Sequence, residues 1–155
     1  MSNKNIDVLN TFTIDTIPDL DVAVLGALEL FQKEKLPELY IKKYKRPLVV
    51  GSGNAEATGR IIFEDTNAVF ASESNFENKL RHIPDIDGVI LISASGGKHA
   101  PVIAKYAKDL GKSVILITNN PNSEAAKFIE DDKIFVFTKN REPYTYNTST
   151  YMGMI

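Results

Sequence analysis

A chain of 155 residues with 43% hydrophobic and 25% charged content suits one domain with a real core, since about 150 residues bury roughly 70% of the unfolded chain's surface. The formal net charge of -2 gives no broad positive field for a phosphodiester backbone, so no nucleic-acid partner is expected. With no cysteine, and with His82 and His99 in no ligand spacing, disulfides, thiolate metal sites and a metal cofactor are not expected, and no other cofactor is called for.

Residues 1–18 form a polar segment that lacks the continuous apolar stretch of a secretory signal and closes at Pro18. Nowhere does the chain reach the roughly 18 consecutive apolar residues of a membrane span, so a cytoplasmic protein without a membrane partner is expected. A single domain is expected over residues 19–155. It opens with Leu20, Val22, Val24, Leu25, Leu28, Leu30 and Phe31 at mostly helical spacing, which predicts an amphipathic helix. Pro37 interrupts that pattern. A second helical piece is expected over residues 36–45, with the charge run from Lys33 to Arg46 as a solvated face, until Pro47 forces an extended backbone.

From there the pattern changes to short runs rich in β-branched residues, at 47–51, 67–72, 88–93, 113–118 and 133–138, about 20 to 25 residues apart. Five strands are predicted. Runs such as VILIS and VILIT are apolar on successive positions, which implies burial on both faces and therefore a parallel sheet covered by helices on each side. Residues 55–65, 73–83, 98–111 and 123–131 have the length and apolar spacing of crossover helices. Gly111 is a stop after the third of them, and His82 with Arg81 lies at the end of the second. Strand, helix, strand repeated in this way predicts an α/β fold, a three-layer αβα sandwich around a doubly wound, five-stranded parallel sheet.

In such sheets ligands bind outside the carboxyl ends of the strands, which directs attention to three loops. The first holds Gly51, Ser52, Gly53, Asn54 and Ala55, where two glycines let the backbone approach a ligand just before a helix whose free N–H groups favour an anion. The same glycines also suit a plain strand-to-helix turn. The loop after the third strand says more: Ser93, Ser95, Gly96, Gly97 and Lys98 assemble hydroxyls, backbone access and a cation at a helix start, the donor set a phosphate needs. His99 follows, placed to contact a phosphate or to protonate a ring oxygen. Beyond the fifth strand lies a hydroxyl-dense stretch in which Glu142 is the one visible candidate for a general base.

Together the GSGNA loop, the ISASGGK loop opening a helix, and YNTSTYMG after the fifth strand resemble the sugar isomerase (SIS) domain of phosphosugar isomerases, glucosamine-6-phosphate synthase and phosphosugar-binding regulators. The resemblance covers residues 20–155 and implies a flavodoxin-like sandwich of the SIS type. The family's usual pattern is GxGxS after the first strand and SxSGxT after the third, where hydroxyls hold the phosphate. Ser93, Ser95 and Gly96 match. Ala55 replaces the first motif's serine but keeps its backbone N–H, and Lys98 replaces the later threonine with a charge. By the same resemblance, Asn147, Ser149 and Thr150 belong to the turn that opens the next helix and touches the sugar.

Two functions follow from the resemblance: an aldose–ketose isomerase that moves a proton between adjacent carbons through an enediol, and a module that senses a phosphosugar without turning it over. A dinucleotide-binding oxidoreductase is rejected, because the third glycine of GxGxxG would fall at Glu56, whose charge opposes a pyrophosphate. Thr148, Ser149 and Thr150 read as the cap of a helix for which the five remaining residues are too few, so a chain that continues, or a partner over the same strip, is expected. Pairing as a homodimer or with a second SIS domain is the expected association.

Overall fold

The structure is a computed structural model that describes residues 4–39, 43–143 and 147–155. Strands β1 (Pro47–Val50), β2 (Val69–Ala71), β3 (Gly88–Ile92), β4 (Ser113–Thr118) and β5 (Ile134–Val136) form one sheet in the order β2-β1-β3-β4-β5, with every pair parallel. Helices α1 (Lys4–Thr11), α2 (Leu20–Phe31), α3 (Asn54–Ile62), α4 (Phe76–His82), α5 (Ala100–Asp109) and α6 (Thr148–Met154) make up the α-helical part. The chain divides into two compact units, Met1–Pro37 with Phe137–Ile155, and Glu38–Val136. Among the described residues no helix is long and apolar enough to cross a membrane.

The sheet unit follows from the apolar runs. In register, Leu48, Val89 and Val114 form one row across β1, β3 and β4, and Val50, Leu91 and Leu116 another, so these six side chains share one face. There they form one cluster with Phe76 and Leu80 of α4 and with Ala100, Ile103, Ala104 and Ala107 of α5. The alternate residues Val49 and Ile92 face the other way. Both lie under α3, where a Cβ on Gly59 would come within 2.8 Å of Val49 Cγ1 and 3.1 Å of Ile92 Cδ1. Helices therefore cover both faces, and the expected parallel α/β sheet is the one observed.

Two expected helices are corrected. Residues 36–39 are not helical, consistent with the bias of Pro37 against a helical residue before it, while 40–42 fall outside the described residues. The segment 123–131 forms only a 3₁₀ turn at Ala126–Phe128. Its backbone is used differently, since Ala125 N donates to Gly96 O at 3.1 Å and the N–H groups of Ala126, Phe128 and Ile129 reach back three residues.

The other unit packs short helices whose ends are held by charged side chains. On α2, the carboxylate of Glu29 accepts from Asn5 N (3.2 Å), Ile6 N (3.0 Å) and Asn5 Nδ2 (2.6 Å), capping the start of α1. Arg141 donates to Asn10 O near the end of α1 at 3.1 Å and lies 4.0 Å over the Phe12 ring. The expectation that too few residues remained after Thr150 for a helix is corrected as well. Asn147, with φ of 52°, is the N-cap residue and the hydroxyl triplet is the first turn of α6. Packing compensates for length, because Gly153 lets α6 approach Phe31 of α2 so closely that a Cβ would stand 2.7 Å from its ring.

Two outcomes follow. Gly59→Val, which forces branched carbon onto Val49 and Ile92, should lower stability by about 1–3 kcal/mol in chemical denaturation. Burial pushes the Glu29 carboxyl up, but the amides of Ile6 and Asn5 outweigh it and hold it below the usual 4.5. A depressed carboxylate stabilises the fold above its unfolded value and loses that contribution as the pH falls through its folded one. Glu29→Gln should therefore melt below the parent at pH 7, with a gap that closes as the pH is taken under 4.5.

Candidate functional site

Between β1 and β3 the strand order reverses. The carboxyl ends of these two neighbours are where an open α/β sheet offers a crevice, and residues 51–54 and 93–99 are the loops that leave them.

After β1, Gly51 N continues the ladder to Ala71 O at 3.2 Å, and the chain turns directly into α3. No side chain fits at Gly51, where a Cβ would stand 2.7 Å from Ala55 C and Glu56 N. Gly53 caps α3 at φ of 55°, and Ser52, Gly53 and Asn54 are exposed. The first turn of α3 contains Glu56, whose carboxylate accepts from Arg60 one turn on at 2.8 Å.

After β3 the geometry is more specialised. Ser93 N still bonds Ile117 O at 3.0 Å, and then every carbonyl from 93 to 97 turns onto a donor of the chain. Ser93 O accepts from Gly96 N, Ala94 O from Asn119 N and Thr118 Oγ1, Ser95 O from Asn120 Nδ2, Gly96 O from Ala125 N, and Gly97 O from Ala100 N. Gly96 and Lys98 take the left-handed region, at φ of 61° and 51°. Ser95, Lys98 and His99 are exposed, while Ser93 and Gly97 are half-buried. The hydroxyls face local amides, with Gly96 N 3.2 Å from Ser93 Oγ and Gly97 N 3.3 Å from Ser95 Oγ. The loop ends at α5, which has proline in its first turn and no acid there.

His99 Nε2 lies 3.9 Å from Glu73 Oε1. Glu73 belongs to the 72–75 turn after β2, in which Ser72 and Ser74 hydroxyls meet at 2.8 Å and Ser72 N bonds Asn75 Oδ1. Sequence reasoning placed Glu73, Ser74 and Asn75 in a helix over 73–83, but α4 starts at Phe76. The signal of the turn was available, since Ser72, Glu73, Ser74 and Asn75 follow a strand as densely polar as the loops that were singled out. Sequence reasoning passed over Thr118, Asn120 and Ser123, which brace the 93–98 loop from the end of β4.

Glu142, Asn147, Ser149 and Thr150 belong to the other unit. Both oxygens of Glu142 are occupied: Oε2 accepts from Thr148 N at 2.7 Å, and Oε1 accepts from Ser149 N at 2.6 Å and from the Ser149 hydroxyl. Ser149 Oγ in turn accepts from Asn140 N at 3.0 Å. Ser149 and Thr150 are fully buried, and Asn147 is half-buried. Here the acid and the hydroxyls build the start of α6. Among the described residues no cluster of three or more His, Asp or Glu could hold a metal ion.

No family model and no curated protein sequence matches the chain. Solved structures do. A candidate sugar-phosphate isomerase from Listeria monocytogenes aligns at 26% identity and a TM-score of 0.59, over 71% of this chain and 62% of that one. The Vibrio vulnificus NanR protein, solved with ManNAc-6P, aligns at 16% identity and a TM-score of 0.65, over 96% and 60%. The sugar isomerase domain of the RpiR transcription factor from Sphaerobacter thermophilus aligns at 14% identity and a TM-score of 0.53, over 97% and 82%. The chain thus spans about three fifths of the first two proteins. With its parallel sheet and the loops after β1 and β3, the chain has the fold of the sugar isomerase (SIS) domain.

Proposed function

We infer that the chain binds a sugar phosphate, with residues 93–98 as the phosphate loop and 51–54 beside it. The observation that supports this is the orientation of the backbone after β3, where the carbonyls of 93–97 are all engaged within the chain while Ser95 and Lys98 stay exposed at a helix start. An anion needs donors and is repelled by unengaged carbonyl oxygens. The two helix starts differ in the same sense. The first turn of α3 carries Glu56 and that of α5 carries no acid, so the phosphate belongs at α5 and the uncharged part of the sugar nearer 51–54. The Vibrio protein, which shares the fold, was solved with a sugar phosphate.

Isomerisation is the second reading, favoured by the name of the Listeria protein at 26% identity. Its candidates for proton transfer are His99 and Glu142. In the structure Glu142 is engaged by α6, so a base role would require those hydrogen bonds to open.

The binding reading is tested by titrating a panel of hexose and pentose phosphates, and the unphosphorylated sugars, against the chain and a Ser95→Ala/Lys98→Ala variant. Loss of one neutral and one charge-assisted hydrogen bond should weaken binding by about 2–4 kcal/mol, and unchanged affinity in the folded variant rejects the loop. Glu142→Gln separates the two roles of the acid. A kcat lowered roughly 100-fold or more at constant KM assigns it as a base. Unchanged turnover per folded molecule, with about 1–2 kcal/mol lost in denaturation, leaves it as the cap of α6.

A further inference from the structure

Three consecutive carbonyls of the 93–98 loop point at one piece of chain, the turn that leaves β4. Ala94 O accepts from Asn119 N and from Thr118 Oγ1, each at 3.0 Å. Ser95 O accepts from Asn120 Nδ2 at 3.4 Å, and Gly96 O from Ala125 N at 3.1 Å. Thr118 is fully buried, and its hydroxyl also accepts from Asn120 N at 3.1 Å, so a single oxygen joins the two loops and orders the turn that braces them. Ser123 is buried as well. Its Cβ and Oγ occupy the space a side chain at Gly96 would need, which leaves glycine as the one residue that fits there.

In a planar trans peptide the C=O of one residue and the N–H of the next point in opposite directions. Pinning the carbonyls of 94, 95 and 96 toward the β4 turn therefore aims the N–H groups of 95, 96 and 97 away from it. On that side, among the described residues, Gly97 N meets the Ser95 hydroxyl at 3.3 Å, a long bond that a phosphate oxygen would improve on, while Gly96 N is held by Ser93 O and Oγ at 3.2 Å.

We propose that Thr118, Asn120 and Ser123 are positioning residues of the anion site, which hold the carbonyls of 94–96 and the floor beneath Gly96 so that the loop shows its donors to the ligand. The proposal rests on reading residues 93–98 as the phosphate loop. None of the three side chains needs to touch the ligand. Their effect is to keep the loop in one orientation before binding, so that no ordering cost is met when the anion arrives.

The test combines amide hydrogen exchange, read by NMR on the labelled chain, with calorimetric titration of inorganic phosphate and fructose 6-phosphate. Thr118→Val keeps the side chain's shape and deletes the hydroxyl, Thr118→Ser keeps the hydroxyl, and Asn120→Ala alters an exposed residue whose loss leaves the core intact. Thr118→Val and Asn120→Ala should each speed exchange at residues 95–97 by about fivefold or more and weaken phosphate binding by a similar factor, the worth of roughly one hydrogen bond. Exchange in β3 should stay at the parental rate, and Thr118→Ser should restore both readouts. Parental exchange at 95–97 in the folded variants overturns the proposal, and so does faster exchange with unchanged affinity. If Thr118→Val does not fold, Asn120→Ala carries the test. Should the parent bind neither probe, the phosphate reading falls on its own, and the exchange data alone decide whether the β4 turn positions the loop.

Discussion

A loop that receives an anion must dispose of its own carbonyl oxygens, because each peptide unit that offers an N–H also carries an acceptor of opposite sign. In this chain the carbonyls of residues 93–97 are engaged by the protein itself, and the donors responsible for the middle three come from the end of β4. The parallel pairing of β3 with β4 makes that possible, since it brings Ser93 into register with the ladder at Ile117 and sets Asn119 opposite Ala94. Sheet register and loop chemistry are thus one constraint. Just before the 3₁₀ turn at Ala126–Phe128, the N–H of Ala125 donates to Gly96 O and ties this segment to the same loop.

Strand order does the rest of the placement. With β1 and β3 as neighbours, the two loops richest in glycine leave the sheet at adjacent points, and their helices depart to opposite faces. The two helix starts are not equivalent. Glu56 makes the first turn of α3 a poor host for an anion and is itself tied to Arg60, while α5 begins with proline and without an acid. On the proposed reading, a phosphate at the start of α5 and the uncharged body of the sugar near α3 match that difference.

In the unit of α1, α2 and α6 the helices are short and charge does at their ends what length does in longer ones. Glu29 closes the start of α1, Arg141 its end, and Glu142 the start of α6, each with the sign that the helix dipole favours. Glu142 and Ser149, which the sequence offered as chemistry, are hydrogen-bonded to each other at the start of α6 in the structure. An acid six residues before a hydroxyl-rich helix start reads the same way in either role.

Much of the sheet was legible from residue type alone. VILIS and VILIT are apolar at successive positions, as a parallel strand covered on both faces requires, and SASGGK before a helical pattern suits a turn or an anion site. Neighbouring strands are not written in their own sequences, however. That β1 lies between β2 and β3, that Glu73 stands near His99, and that Thr118, Asn120 and Ser123 brace a loop more than twenty residues away all depend on crossovers whose direction local patterns do not encode. The sequence by itself determined the strands and the hydroxyl, glycine and lysine content of the loops that leave them, because these depend on side-chain chemistry and local pattern. The tertiary structure decided which carbonyls are silenced and which acids become caps, because those are long-range hydrogen bonds that exist only once the sheet has its register.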